Sequence, residues 1–147
     1  MNTSRHPATI LVVDDERAYR EAIADVLRSQ GHTVLVAESA GEALKALELA
    51  TPELIMLDVM MPGVDGLTLV RHLASDPRFL SVPLIMASAK AMPADRFSAW
   101  ERGASAYLVK PFTFEEVTSL IEYWLAPPEP DTARVELVDL ADRLASV

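Results

Sequence analysis

The chain contains no cysteine. Disulfides, thiolate metal centres and cysteine nucleophiles are therefore excluded, while the absence is neutral about compartment. Basic residues are scarce: 13 Lys and Arg face 22 Asp and Glu, for a net charge of −9. Neutralising nucleic-acid phosphates requires a basic surface, so direct nucleic-acid binding is not expected. Long apolar runs are also missing. The N-terminal run Ile10 to Val13 is too short for a signal-peptide core, and no stretch approaches the roughly 18 apolar residues of a membrane span. The expectation is a soluble, cytoplasmic protein without a membrane partner. His6, His32 and His72 all stand away from the acidic strand ends described below, which argues against a histidine-based catalyst. Beyond a regular alternation of strand and helix patterns, no internal repeat is visible.

What is present fits one compact domain. Half of the 147 residues are hydrophobic, ample for a core. Short apolar runs rich in β-branched residues predict strands at Thr9–Val13, about Thr33–Ala37, Leu54–Leu57, Leu84–Ala87 and Ala106–Val109. Helical periodicity follows each of them. The first helix carries Tyr19, Ala22, Ile23, Val26 and Leu27 and ends at Gly31 as C-cap. The second opens on a capping-box pattern, Ser39 with Glu42, and the third spans about Leu67 to Ala74. The fourth is expected from about Pro93 to Gly103, and the fifth begins at a second capping box, Thr113 with Glu116. Strict alternation implies a parallel sheet covered by helices on both faces. Five strands suit a flavodoxin-like doubly wound α/β fold of order 2-1-3-4-5, which makes the first and third strands neighbours at the switch point.

That order would bring the polar residues ending the strands into one crevice: Asp14 and Asp15, Asp58, Ser88 and Lys110. Close carboxylates repel one another, and one pKa would rise unless a cation sits among them. Oxygen-only ligands favour Mg²⁺, with Mn²⁺ as a substitute, over zinc. Metal, ammonium and hydroxyl donor together suffice for phosphoryl transfer, which depends on positioning and electrostatics. Asp58, a carboxylate nucleophile in the stretch LIMLDVMMPGVDG, would accept the phosphoryl group as an acyl phosphate. Ser88 can hydrogen-bond that group, and the small Ala89 beside it leaves access.

The DD pair at 14–15, LIMLDVMMPGVDG around Asp58, MASAK with Ser88 and GASAYLVKPF with Lys110 together resemble the two-component response-regulator receiver domain. The resemblance covers about residues 8–125. It implies that Asp58 is the phospho-acceptor for a histidine kinase or histidine phosphotransfer protein. It implies that Asp15, Asp58 and the backbone carbonyl of Met60 hold Mg²⁺, with Asp14 acting directly or through water, and that Ser88, Ala89 and Lys110 meet the phosphate. It further implies a cis bond before Pro111, and a switch pair of Ser88 and Tyr107. The output face would be the fourth helix, fifth strand and fifth helix, available to a downstream protein, an output domain or a second copy. Met60 offers an attacking water no hydrogen bond, so a long-lived phosphoryl state is expected, shortened or lengthened by Asn or Glu at that position.

Three rival readings make different demands. An aspartate-nucleophile phosphohydrolase would place a second acid two residues after the nucleophile, where this chain has Met60. A flavodoxin-like cofactor binder would need a hydroxyl- and glycine-rich loop after the first strand, where Asp14-Asp15-Glu16 would repel a phosphate. A phosphorylation-insensitive interaction module would keep the fold without the chemistry. The expected arrangement is thus a flexible leader over residues 1–8 and a receiver domain over 9–125. A proline-rich linker and short amphipathic helix would occupy 126–147, either ending there or leading to an output domain. Such a domain assists its own phosphorylation and dephosphorylation and turns over no separate substrate.

Overall fold

The computed structural model describes residues 3–58, 66–89 and 104–126, with the backbone alone at Gly66 and Leu67. The carbonyl of Met60, Lys90, the expected helix between Pro93 and Gly103 with its Trp100, and residues 127–147 lie outside the described residues.

Strands β1 (Thr9–Val13), β2 (Thr33–Ala37), β3 (Leu54–Asp58), β4 (Leu84–Ser88) and β5 (Ala106–Val109) form one parallel sheet in the order β2-β1-β3-β4-β5. Helices α1 (Arg17–Ser29), α2 (Ala40–Leu49) and α3 (Gly66–Ser75) follow the first three strands, and a last helix, Phe114–Leu125, follows β5. The expected strand order is the observed one. The three central strands β1, β3 and β4 read TILVV, LIMLD and LIMAS because helices cover both faces of a parallel sheet, leaving no solvated side. At the edge, β2 is buried only at Val34 and Ala37, and Val36 is 44% exposed.

The two-residue side-chain period sorts the core into two layers. On one face Leu11, Val13, Ile55, Leu57, Leu84, Met86 and Tyr107 pack with α2 and α3 through residues such as Ala43, Leu47, Val70 and Leu73. On the other, Ile10, Val12, Leu54, Met56, Ile85, Ala106 and Leu108 pack with α1 and the last helix through Ile23, Leu27, Val117 and Ile121. Each fully buried Leu or Ile here contributes roughly 1.5–3 kcal/mol of hydrophobic stabilisation.

Local chemistry starts and stops the helices as the sequence suggests. Ser39 Oγ accepts from Glu42 N–H at 3.1 Å, although the Glu42 carboxylate accepts from Glu38 N–H, one residue before the cap. Thr113 Oγ1 accepts from Glu116 N–H at 3.0 Å, and its hydroxyl donates to the Glu116 carboxylate. α1 ends in a paired closure: Gly31 N–H donates to Arg28 C=O, and His32 N–H to Leu27 C=O. Gly31 has φ +98°, the left-handed conformation that this closure requires. Residues 3–8, read as a flexible leader, are joined to the domain where they start. Ser4 is buried, and its N–H donates to Gln30 C=O at 2.7 Å.

Candidate functional site

The same side-chain parity that builds the core aims the polar strand ends. Asp14 follows Val13, Asp58 follows Leu57, and Lys110 follows Val109, so all three project toward the face covered by α1 and the last helix. Ser88 and Tyr107 carry the opposite parity. Tyr107 belongs to the layer with α2 and α3, and Ser88 is two positions beyond Met86, which pairs with Tyr107 in the strand register. The backbone locks these tips: Asp14 N–H donates to Ala37 C=O, and Lys110 N–H to Ser88 C=O at 2.7 Å.

Three carboxylates meet one ammonium. Lys110 Nζ lies 2.8 Å from Asp14 Oδ2, 3.3 Å from Glu16 Oε1 and 3.4 Å from Asp58 Oδ2. The side chains of Lys110, Asp14 and Asp58 are each about 5% exposed, whereas Glu16 is open to solvent. Burial by itself would depress the Lys110 ammonium. The hydrogen bond and charge of Asp14, joined by Asp58 and Glu16, outweigh it and hold the pKa above the ordinary lysine value. Asp14 is further fixed through its other oxygen, which accepts from Glu16 N–H at 2.9 Å. Its backbone carbonyl accepts from Arg20 Nη1 at 2.9 Å, tying the first turn of α1 to the tip of β1.

The site that forms is partly the expected one. Asp14, Asp58 and Lys110 come together, Ser88 is fully buried, and Tyr107 is almost so. Asp15 is exposed, and the described carboxylates that gather are Asp14, Glu16 and Asp58. Ala89 is exposed just past Ser88, and the Lys110–Pro111 peptide is cis. Sequence reasoning overlooked Glu16 as a member of the site. Tyr19, expected on the core-facing stripe of the first helix, does pack on that layer, and its ring centroid also lies 4.3 Å from Lys110 Nζ, a contact that the stripe alone does not show. The only sequence signal for Glu16 was a third acid directly after the pair.

The donor set suits a hard divalent cation. One oxygen from each of Asp14, Glu16 and Asp58 lies within 4.8 Å of the others, and no softer ligand atom belongs to the group. Three carboxylates against one ammonium leave a formal charge of −2, the charge that a divalent ion would neutralise. A separate cleft of about 590 Å³, lined by residues including Ser4, His6, Gln30, Glu122 and Tyr123, contains none of these groups.

Comparison with known proteins agrees with this geometry. The family model for the response regulator receiver domain matches residues 10–122. The chain is 36% identical over 121 residues to the response regulator Rre1 of Synechocystis sp., covering 82% of this chain and 52% of that protein. It is 38% identical over 125 residues to the response regulator MprA of Mycolicibacterium vanbaalenii, covering 85% and 53%. The chain thus spans about half the length of the curated relatives it matches. Among solved structures, the chemotaxis response regulator CheY4 of Vibrio cholerae superimposes with a TM-score of 0.76 at 27% identity, covering 80% of this chain and 98% of that one. With the fold, the family match and the acidic site in agreement, the chain belongs to the response regulator receiver domain family.

Proposed function

We propose that this receiver domain is the phosphoryl-accepting switch of a phosphorelay, with Asp58 as acceptor. The observation that carries this reading is the meeting of Asp14, Asp58 and Lys110 at the tips of β1, β3 and β5, with Lys110 Nζ 3.4 Å from Asp58 Oδ2. The donor would be the phosphohistidine of a sensor kinase or phosphotransfer protein. An Asp58 carboxylate oxygen attacks phosphorus, the P–N bond breaks, and the imidazole leaves with the electron pair. The product is an acyl phosphate on Asp58.

Asp14, Asp58, the Glu16 carboxylate and the Asp15 and Met60 positions named by the resemblance are the candidates to hold Mg²⁺. When bound, that ion supplies compensation for the charge of the phosphoryl oxygens. Lys110 does the same from the protein side, already poised beside the acceptor. Ser88, buried at the tip of β4, and Ala89, exposed just past it, would meet the phosphate from that strand, and Ser88 with Tyr107 would shift together once negative charge is added. Their shared parity supports that pairing. The readout surface would be β5, the last helix and the segment before β5, offered to a downstream protein, an output domain or a second copy. No separate substrate is turned over in this scheme. Among the described residues, no helix is long and apolar enough to cross a membrane.

Incubation with acetyl phosphate and Mg²⁺, or with beryllium fluoride and Mg²⁺, tests the reading. The expected result is one added phosphoryl group by intact-mass spectrometry, lost in Asp58→Asn and on removal of Mg²⁺. An unchanged mass in the wild-type protein, with no spectral response to beryllium fluoride, would refute it.

A further inference from the structure

We propose that Tyr19 is the positioning residue for Lys110, its ring face fixing the ammonium where the three carboxylates converge. This inference rests on the reading of Lys110 as the protein's own cation for the phosphoryl group.

A lysine ammonium is a compact charge on a flexible stem with three rotatable donors, so contact with carboxylates restrains its distance more than its direction. Here the fourth side is occupied. Lys110 Nζ lies 4.3 Å from the Tyr19 ring centroid, within the range of a cation–π contact. Only 6% of the lysine side chain is exposed, so the contact is poorly screened by water. An aromatic face attracts the ammonium without accepting a proton in competition with oxygen. All three N–H donors therefore remain available for Asp14, Glu16 and Asp58, and afterwards for phosphoryl oxygens.

The ring is itself held from two sides. Phe112, two residues past Lys110, packs on Tyr19 with centroids 5.7 Å apart and planes tilted by 58°. Arg20, the next residue in α1, donates to the Asp14 carbonyl at 2.9 Å and so fixes the turn that carries the ring. Tyr19 and Phe112 both pack on the layer beneath α1 and the last helix, the face toward which Asp14, Asp58 and Lys110 project. The first turn of α1 is consequently in direct contact with the lysine.

The test compares Tyr19→Phe, Tyr19→Leu and Phe112→Leu in the full chain. A ¹⁵N-lysine NMR spectrum reads the Lys110 ammonium directly: its ring-current displacement should persist in Tyr19→Phe and vanish in Tyr19→Leu. Acetyl phosphate kinetics at saturating Mg²⁺ give the second reading. Loss of a buried cation–π contact should lower the maximal phosphorylation rate of Tyr19→Leu about threefold to thirtyfold, whereas Tyr19→Phe retains most of it. Phe112→Leu should fall between them, and it carries the test if Tyr19→Leu folds poorly. The Mg²⁺ midpoint should stay put in all three, a result that a general loosening of the site would not give. An unmoved Lys110 resonance in Tyr19→Leu, or an equal rate loss in Tyr19→Phe, would overturn the proposal. If wild-type protein accepts no phosphoryl group, the functional reading fails, and the NMR comparison alone decides the placement of Lys110 by Tyr19.

Discussion

Lys110 Nζ is 2.8 Å from Asp14 Oδ2 but 3.4 Å from Asp58 Oδ2, so the ammonium is bound more closely to Asp14 than to the proposed acceptor. Both carboxylates sit at neighbouring strand tips because β1 and β3 pair directly, with Val13 opposite Leu57. Asp14 therefore draws the cation aside without taking it out of reach of Asp58.

Removing that competing carboxylate should redistribute the cation. In Asp14→Asn the ammonium would pair with Asp58 and oppose a divalent ion at the same oxygens. A charge-assisted hydrogen bond contributes about 1.5–3 kcal/mol, so Mg²⁺ affinity should fall about tenfold or more. Titration with Mg²⁺ followed by intrinsic fluorescence or NMR measures this; an unchanged midpoint would contradict the shared-cation arrangement.

Deleting the cation instead leaves two buried carboxylates facing each other. Removing one partner of a buried ion pair costs up to about 3–5 kcal/mol, but here one carboxyl can take up a proton. Lys110→Ala should therefore destabilise the metal-free protein by a smaller amount, about 1–3 kcal/mol. Added Mg²⁺ should recover much of the loss, because a cation returns to the same oxygens. Thermal melts with and without Mg²⁺ compare the two proteins directly.

The strands and their order were legible because a sheet buried on both faces demands apolar runs, and each run here ends at a polar residue. Asp14, Asp58 and Lys110 were legible for the same reason, since strand parity fixes where a tip residue points. Glu16 and Tyr19 were not. Glu16 sits at the cap of α1, where its direction is set by the turn that Asp14 Oδ1 closes rather than by a repeating pattern. Tyr19 lies on an amphipathic helix, and periodicity cannot separate a ring packed on the core from one packed on a lysine beside that core. His32 gave no signal at all: its burial follows from the closure at Gly31, which turns the chain inward after α1.

That closure makes Gly31 a sensitive position. Its φ of +98° is costly for any residue with a Cβ, although the added atom would meet Thr3 Cγ2 at an ordinary 3.7 Å. The cost is thus conformational rather than a clash, about 1–2 kcal/mol, offset by about 0.4–1 kcal/mol from a stiffer unfolded chain. Gly31→Ala should lose up to about 1.6 kcal/mol in urea unfolding, visible as a lower midpoint with an unchanged slope.

His32 should give the protein a pH-dependent stability. Its Nδ1 accepts from Ala8 N–H at 3.1 Å, and its Nε2 lies 3.8 Å from Glu122 Oε1, too far for a direct hydrogen bond. The imidazole side chain is fully buried, and that desolvation depresses its pKa below the ordinary 6.5, with Glu122, the Ala8 contact and Glu53 offsetting part of the effect. A depressed folded-state pKa means that the unfolded chain takes up the proton first as pH falls. The contribution is therefore fully present above about pH 6.5 and declines below it, until the folded form also protonates. In His32→Asn, whose amide oxygen can still accept from Ala8, this part of the pH dependence should disappear. Urea midpoints between pH 7.5 and 5 should fall more steeply for wild type than for the variant. Parallel curves would mean that His32 does not titrate differently on folding.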